Sequence, residues 1–504
     1  MALVLGATAA LSAATIANAA LPITFPVVPV AFAAYLALVL GAVLVPAGRA
    51  GGLSVRTRLG PVALAVALLV ALLDRHQLVA SRGVAPDDIA VAVVAAGLIG
   101  IALRAPHLGG RPLVIGAALA AYTLIGVSFV AGAPYHSDAI ANVHRAAELL
   151  VSGADPYRSV DTLESLDRFG IDREYATHLL DGTQLRSFNY PALAVLLPAP
   201  FVALGLADLR PLYLALVVSA CIAVITRVSA SWRPLVLAAA IGNVAIARQH
   251  LLAGIDPTWA MLLGAALLAL DRALRRRSTR VLLLSAILLG LACASRQPAW
   301  FAVPLVIAAV WRDRGAAQAA RYAAVALAAF AVPALPFLAI APAAYVTGVL
   351  APILLPLEPH GVGLAWLGAI GALPLLDRGV YAALALVALA AAGVAAIRRR
   401  PAAPGIAVLA LAPVYLAWRA LQSYFTFAGP FAALAVALES DAIAGTERHE
   451  PVLSPVPGGA TCPLTRSFSR SWPALTTNRP CARRGTGSSA RAAADGTRCV
   501  MTSP

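Results

Sequence analysis

Charge is the property that this sequence has least of. Charged residues make up only 12% of the 504 residues, whereas hydrophobic residues make up 61%. A soluble domain needs roughly 25% charged residues to cover its surface, so this composition excludes a soluble globular protein. Many segments of about 18 or more residues carry almost no charge, and this length crosses the hydrocarbon core of a bilayer. The sequence therefore predicts an all-α polytopic membrane protein.

Lysine is absent altogether, so the formal net charge of +15 comes from arginine alone. The arginines are concentrated in short turns between apolar segments. This distribution marks cytoplasmic loops of membrane proteins, and it argues against nucleic acid as a partner. The partner that the composition does indicate is the lipid bilayer.

Cysteine patterns and the motifs of soluble enzymes are also missing. Two of the five cysteines, Cys221 and Cys293, lie within apolar segments, and the other three follow residue 460 without metal-ligand spacing. The sequence has no P-loop, no HExxH, no GxSxG and no dinucleotide-binding fingerprint. Any chemistry must therefore be built from polar residues between the membrane spans.

The order of apolar segments and arginine turns predicts the topology. We expect about 11 to 14 transmembrane helices within residues 1–439, with a large first outer loop at about 133–189. The later arginine turns are all cytoplasmic only if one apolar segment does not cross the membrane. We expect that segment to be broken around 247–260, because Gly254 and Pro257 interrupt the helical pattern there. A second short segment, 363–376, need not cross either. Residues 440–504 are polar and aperiodic, which predicts a disordered cytoplasmic tail.

The outer loop opens with a predicted helix. Ser137 is a suitable N-cap and Gly153 a suitable stop. Asp138, Asn142 and Arg145 share one face and apolar residues the other, so we expect an amphipathic helix on the membrane surface. The helix dipole favours an ionised Asp138, which could accept a proton from an attacking hydroxyl group. From the residue types alone, a charge that merely stabilises the start of the helix is the simpler interpretation.

Other polar residues flank the later spans. Arg296 and Gln297 end a span that starts at an arginine cluster, so they should face outward. An arginine there could clamp a phosphate, or it could extend to lipid headgroups. Arg248 and Asp256 lie near the expected break, and ionisable residues at membrane depth are functional candidates.

Five stretches occur in a characteristic order: "HSDAIANVHRAAELLVSGADPY", "NYPALAVLLPAP", "GIDPTWAMLLGAALLAL", "SRQPAWFAVPLVI" and "LQSYFTFAGPF". In these stretches the chain resembles the polyprenol-phosphate-sugar-dependent membrane glycosyltransferases of the GT-C class. The bacterial mannosyl- and arabinofuranosyltransferase-like branch is the most similar. The resemblance covers most of residues 112–438 and does not cover the tail.

The resemblance implies an inverting glycosyltransferase of the cell membrane whose active face is non-cytoplasmic. It would move a hexose or pentose, with mannose as the first expectation, from a polyprenyl-phosphate donor to a cell-envelope glycan or glycolipid acceptor. Asp138 would be the general base, and Arg296, with Arg248 or Arg419, would stabilise the departing phosphate. The implied substrate-binding residues are His136, Asn142, Arg145, Asp155, Tyr157, Tyr190, Arg248, Asp256, Arg296, Gln297, Arg419, Gln422 and Tyr424.

The resemblance names no certain cofactor. Many relatives carry two adjacent carboxylates in this loop. In this chain Asp138 follows Ser137 and has no acidic neighbour. A single carboxylate is a poor ligand set for a divalent ion, so the resemblance leaves a metal open and assigns no metal ligand.

Three alternatives remain at this point. A multi-pass transporter or a flippase for lipid-linked glycans would show paired broken helices in two similar halves. A polymerase or ligase of surface polysaccharide would normally have its large loop late in the chain. A structural membrane protein without activity would require none of these features.

Overall fold

The computed structural model describes residues 1, 4–6, 8, 27–44, 53–78, 86–132, 134–243 and 254–447. The part of the chain that it describes is helical, without a β-sheet. The helices up to the end of the first long loop are α1 (Val27–Leu44), α2 (Leu53–Leu78), α3 (Pro86–Arg104), α4 (Pro112–Gly132), α5 (Asp138–Val151), α6 (Pro156–Ser159) and α7 (Thr162–Arg168). The later helices are α8 (Leu193–Leu196), α9 (Ala199–Ala203), α10 (Arg210–Ile225), α11 (Arg233–Ile241), α12 (Asp256–Arg276), α13 (Thr279–Ser295), α14 (Ala302–Arg314), α15 (Ala316–Ile340), α16 (Pro342–Leu354), α17 (Leu364–Ala369), α18 (Arg378–Arg399), α19 (Ala403–Leu409), α20 (Leu411–Leu416) and α21 (Ala428–Glu447).

Seven helical segments among the described residues are long and apolar enough to cross a membrane. They lie in α2, α3, α4, α12, α15, α18 and the segment Gln422–Ala444 that contains α21. Six shorter apolar helices or helix pairs accompany them. The prediction of an all-α, multi-pass membrane protein is thereby supported at this coarser level.

The helices pack around three apolar clusters. One joins α2, α3 and α4 to α10 and α11, a second joins α1 and α11–α15 to α18–α21, and a third surrounds α5. Small residues allow the close approach that membrane helices need, because lipid supplies little hydrophobic force between them. A Cβ on Gly290 of α13 would lie 2.2 Å from the carbonyl oxygen of Ala326 on α15. This glycine therefore permits the contact between the two helices.

The basic turns lie together at one end of the bundle. Arg275, Arg312 and Arg400, at or just beyond the C-terminal ends of α12, α14 and α18, line one cavity. We call this the arginine end. The 21 residues of α12 span about 30 Å and place Asp256, at the start of the helix, at the opposite end. We call that end the Asp138 end, because Asp138 lies there too.

Segment 190–206 begins and ends at the Asp138 end. The carbonyl oxygen of Tyr190 accepts a hydrogen bond of 2.8 Å from the hydroxyl of Tyr157. After α8 and α9, the amide of Leu209 donates at 2.8 Å to the hydroxyl of Tyr135, which lies just before α5. Prolines have no amide hydrogen to continue a helix, and Pro198 separates these two short helices.

Segment 190–206 is thus a non-crossing segment that the sequence did not predict. Helix α10 then runs to the arginine end. Just beyond it, the amide of Ser229 donates at 2.8 Å to the Oδ2 of Asp441 on α21, and the Nη2 of Arg275 donates at 3.4 Å to the carbonyl oxygen of Leu438 one turn earlier on α21. Segment 190–206 therefore does not cross the bundle, and this keeps the later arginine turns at one end.

The break predicted at 247–260 falls partly on undescribed residues, and within its described part Gly254 has a φ of +80°. Residues 244–253 lie outside the described residues.

The segment 363–376 also stays at one end, as expected. The Nη2 of Arg378, at the start of α18, donates at 3.1 Å to the carbonyl oxygen of Ile353 near the end of α16. Between these residues, only the six-residue helix α17 forms.

Helix α5 differs from the expected surface helix. Both Asn142 and His144 are 3% exposed, so its polar residues are covered as well as its apolar ones. The Nδ2 of Asn142 donates at 3.2 Å to the Oγ1 of Thr162 on α7, which shields this side. The loop thus forms a small packed layer of its own, with α5 inside it.

The end of the chain is described only in part. Helix α21 continues to Glu447, beyond the boundary expected at residue 439. The predicted disordered tail at 440–504 lies outside the described residues from 448 onward.

Candidate functional site

Asp138 occupies the first position of α5. The side chain of Ser137 accepts a hydrogen bond of 3.1 Å from the amide of Ala139, so Ser137 is the N-cap that the sequence predicts. The Oδ2 of Asp138 accepts a hydrogen bond of 2.9 Å from the hydroxyl of Thr177. This carboxylate is therefore held by the helix start on one side and by a loop residue on the other.

A buried ion pair lies beside it. The Nε of Arg296 is 3.2 Å from the Oδ1 of Asp256, and the two side chains are 5% and 3% exposed. The same Oδ1 accepts a hydrogen bond of 2.7 Å from the indole nitrogen of Trp259, one helical turn later on α12. A buried charge without its partner costs about 3–5 kcal/mol, so each member of this pair requires the other.

Two tyrosines enclose the Arg296 guanidinium group. Its central carbon lies 5.3 Å from the ring centre of Tyr190 and 5.6 Å from that of Tyr424. Both are cation–π contacts, which strengthen where water is excluded. Tyr190 enters from the segment before α8, and Tyr424 from the short 3-10 helix Gln422–Tyr424.

Electrostatics links Asp138 to the same group of residues. Burial raises the pKa of Asp138 above its ordinary value, and this influence is larger than the opposing ones. The hydrogen bond from Thr177 and the positive charges of Arg419 and Arg296 lower the pKa in part. Asp138, Tyr190, Asp256, Arg296 and Tyr424 thus converge, with Arg419 beside them.

Three backbone segments cover this group. The amide of Leu180 donates to Pro356 at 2.8 Å, which joins the loop carrying Thr177 to the loop after α16. The amide of Val362 donates to Ala420 at 2.8 Å, which joins that second loop to the residue after Arg419. Consecutive loops thereby fix the positions of Thr177 and Arg419 relative to each other.

Three guanidinium nitrogens in the group are buried without a hydrogen-bond partner among the described residues: Nε and Nη1 of Arg296 and Nε of Arg419. Of these, the Nε of Arg296 still lies within ion-pair distance of Asp256. An unpaired buried donor is costly, and arginine donors suit the oxygens of a phosphate or carboxylate. The arrangement can therefore hold an anionic group next to the Asp138 carboxylate.

Several predicted residues serve the packing of the loop instead. Asn142 bonds Thr162, and Arg145 pairs with Glu148 at 3.1 Å. Asp155 is the N-cap of α6, where it accepts from the amide of Tyr157 at 3.0 Å. The ring of Tyr157 packs edge-on against Phe188, Phe337 and Tyr345.

The remaining predicted residues lie around the rim or outside the described residues. Gln297 donates to the carbonyl oxygens of Asn189 and Val349 at 2.8 and 3.1 Å, so it ties the segment before α8 to helix α16. His136 is exposed and stacks on Tyr175. Gln422 begins the 3-10 helix that carries Tyr424. Arg248 is not among the described residues.

Sequence reasoning missed two residues of the site. Trp259 follows Asp256 by three positions, and this helical spacing could have indicated the contact. Thr177 lies 39 residues from Asp138 in an irregular loop, and no local pattern identifies it.

The residues around Asp138 do not fit a divalent metal ion. No three His, Cys, Asp or Glu side chains cluster in the part of the chain that the structure describes. The neighbours of Asp138 that carry charge include Arg296 and Arg419, which repel a cation.

No protein-family model, curated protein or solved structure matches this chain.

Proposed function

We propose that this chain is a membrane glycosyltransferase that transfers a sugar from a polyprenyl-phosphate donor to a hydroxyl of a cell-envelope glycan or glycolipid. The proposal rests on the resemblance to the GT-C class and on the composition of the site. The active site would lie on the non-cytoplasmic face of the cell membrane, and mannose is the first sugar to test.

One observation carries the proposal: a carboxylate with a raised pKa lies beside Arg296 and Arg419, and each arginine has a buried nitrogen without a hydrogen-bond partner among the described residues. A glycosyl phosphate donor needs both features. The leaving phosphate gains negative charge as the bond to the sugar breaks, and fixed guanidinium groups stabilise that charge. The acceptor hydroxyl must lose a proton, which a nearby carboxylate can accept.

Each group then has a separate task. Asp138 accepts the proton of the acceptor hydroxyl as its oxygen attacks the anomeric carbon, and the bond to the phosphate breaks on the opposite side of the sugar. Arg296 and Arg419 bind the departing phosphate. Asp256 and Trp259 hold Arg296 in position, while Tyr190 and Tyr424 exclude water from it.

The test uses the full chain in lipid nanodiscs with radiolabelled polyprenyl-phosphate mannose or arabinofuranose and a glycolipid acceptor. We expect Asp138→Asn to lower the transfer rate by on the order of 10²- to 10⁴-fold, because the amide cannot accept the proton. Asp181→Asn is the matched control, since Asp181 lies in the same loop, is exposed and only bonds Thr183.

Full activity of Asp138→Asn at unchanged protein abundance would overturn the role of this residue. A wild-type chain that moves intact lipid-linked sugar across the bilayer without cleaving the phosphate bond would identify a flippase instead.

A further inference from the structure

A second feature of the Asp138 end has no part in the proposed bond cleavage. The rings of His136 and Tyr175 stack with their centres 6.3 Å apart and an angle of 13° between their planes. Tyr175 is 48% exposed, and His136 is exposed as well. A pair of nearly parallel aromatic rings is thus presented to solvent. We call it the aromatic platform.

Both rings lie close in sequence to residues that hold the Asp138 carboxylate. His136 is two residues before Asp138, between the buried Tyr135 and the N-cap Ser137. Tyr175 is two residues before Thr177, whose hydroxyl donates to Asp138. The contact between Thr177 and Asp138 therefore brings the two backbone segments that carry the rings together.

The backbone around Tyr175 is well anchored despite its exposure. Tyr175 ends the 3-10 helix Arg173–Tyr175, and the side chain of Asp172 caps that helix by accepting from the amide of Glu174 at 3.1 Å. The Nε2 of Gln184 donates to the carbonyl oxygen of Arg173 at 3.2 Å. The stacked pair therefore presents its rings on an anchored segment, where a ligand can cover them.

We propose that the aromatic platform binds a sugar ring of the acceptor and orients its hydroxyl toward Asp138. This inference rests on the proposed function. A pyranose has an apolar face of C–H groups and a rim of hydroxyls, so it fits a flat aromatic surface in polar surroundings. Polar groups for the hydroxyls lie on the same segment: Asp172 caps the 3-10 helix that ends at Tyr175, and Gln184 bonds the carbonyl oxygen of Arg173 in that helix. The acceptor is accordingly a saccharide, rather than a lipid alcohol or a protein side chain.

The kinetic experiment measures acceptor and donor dependence separately on the full chain in nanodiscs. The acceptors are octyl glycosides of mannose, glucose, galactose and arabinose. We expect Tyr175→Ala and His136→Ala each to raise the acceptor KM about three- to tenfold, because an aromatic stacking contact is lost. The donor KM should stay unchanged, and Tyr175→Phe should retain the wild-type acceptor KM.

Trp311→Ala is the matched control. Trp311 is 55% exposed and lies on α14 near the arginine end, so its loss removes an exposed ring without touching the platform. Equal effects of Trp311→Ala and Tyr175→Ala on the acceptor KM would contradict the inference. An unchanged acceptor KM in Tyr175→Ala would also contradict it, while leaving the proposed transfer reaction intact.

A binding measurement separates the two proposals. Saturation-transfer NMR with octyl glycosides reports contact of the sugar protons with the chain, without any donor present. We expect the signal to fall in Tyr175→Ala and to persist in Asp138→Asn. If the wild-type chain transfers no sugar yet shows this signal, only the proposed function fails. A sugar signal that is absent, or that Tyr175→Ala leaves unchanged, overturns the platform.

Discussion

Opposing influences set the basicity of Asp138. Burial withdraws the carboxylate from water and raises its pKa, whereas Thr177, Arg419, Arg296 and the amide of Ala139 stabilise the ionised form. The net effect is a pKa above the ordinary value. A carboxylate of this kind is a stronger base once it is ionised, and Thr177, Arg419 and Arg296 favour its ionised form.

Thr177 provides a test of this balance. Its hydrogen bond favours the charged form of Asp138, so Thr177→Val should raise the pKa of the carboxyl further. The general base must be ionised to act, and we therefore expect the acid limb of the pH–rate profile to move to higher pH. Activity should fall at acidic pH and be little changed well above the limb.

Thr177→Ser is the matched variant because it keeps the hydroxyl and removes only a methyl group. It should restore the wild-type profile. A Thr177→Val profile that drops equally at every pH, without a shift of the acid limb, would mean that Thr177 acts only on folding or loop position.

The sequence predicts some of the site at this scale and not the rest. Ser137 and Asp138 were identifiable because an N-cap and the first turn of a helix follow local rules. Arg296 was identifiable from its position at the end of an apolar span. Thr177 and the pairing of Arg296 with Asp256 depend on contacts between segments far apart in the chain, which no local pattern encodes.

The turn before α12 positions Asp256 against α5. Gly254 has a φ of +80°, and a Cβ at this position would lie 2.4 Å from the Cδ1 of Ile140, which is fully buried. A side chain here meets both backbone strain and a steric clash. The turn thereby couples the helix that carries Asp256 to the helix that carries Asp138.

We expect Gly254→Ala to destabilise the protein by about 2–5 kcal/mol. The left-handed backbone costs roughly 1–2 kcal/mol for a residue with a Cβ, and forced overpacking adds roughly 1–3 kcal/mol. Activity should fall as well, because Asp256 lies two residues beyond the turn. Thermal unfolding in nanodiscs and the transfer assay measure the two effects.

Gly371→Ala is the matched control. Gly371 has a φ of +76°, but a Cβ there meets no heavy atom within 4 Å, so only the backbone strain applies. The clash with Ile140 predicts a clearly larger loss for Gly254→Ala. Equal destabilisation by the two substitutions would show that the packing against α5 is loose.

The sequence predicts a helix well where hydropathy alone determines whether it crosses the membrane, and poorly where other contacts determine its position. Helices α3, α4 and α18 follow from long apolar runs between charged turns. Segment 190–206 is equally apolar, yet it begins and ends at the Asp138 end and does not cross the bundle. The sequence feature that could have predicted this is its proline content (Pro191, Pro198, Pro200). Helix α5 has the periodicity of a surface helix, but α7 covers its polar side.

The arginine turns and the candidate site lie at opposite ends of the helical bundle. Arg275, Arg312 and Arg400 lie at one end, whereas Asp138 and the Asp256–Arg296 pair lie at the other. Positive turns favour the cytoplasmic side of a membrane. This distribution predicts that the Asp138 end faces away from the cytoplasm, where a lipid-linked sugar donor would be met.

Single cysteines around α10 test this orientation and the fold of segment 190–206 together. The background is a chain whose five natural cysteines are replaced by alanine. Glu164, Ala207 and Thr226 are exposed, and the last two lie on either side of α10. In intact cells, an impermeant thiol reagent should label Glu164→Cys and Ala207→Cys, but should label Thr226→Cys only after permeabilisation. Labelling of Ala207→Cys only after permeabilisation would mean that segment 190–206 crosses the membrane, and the opposite pattern at all three positions would place Asp138 in the cytoplasm.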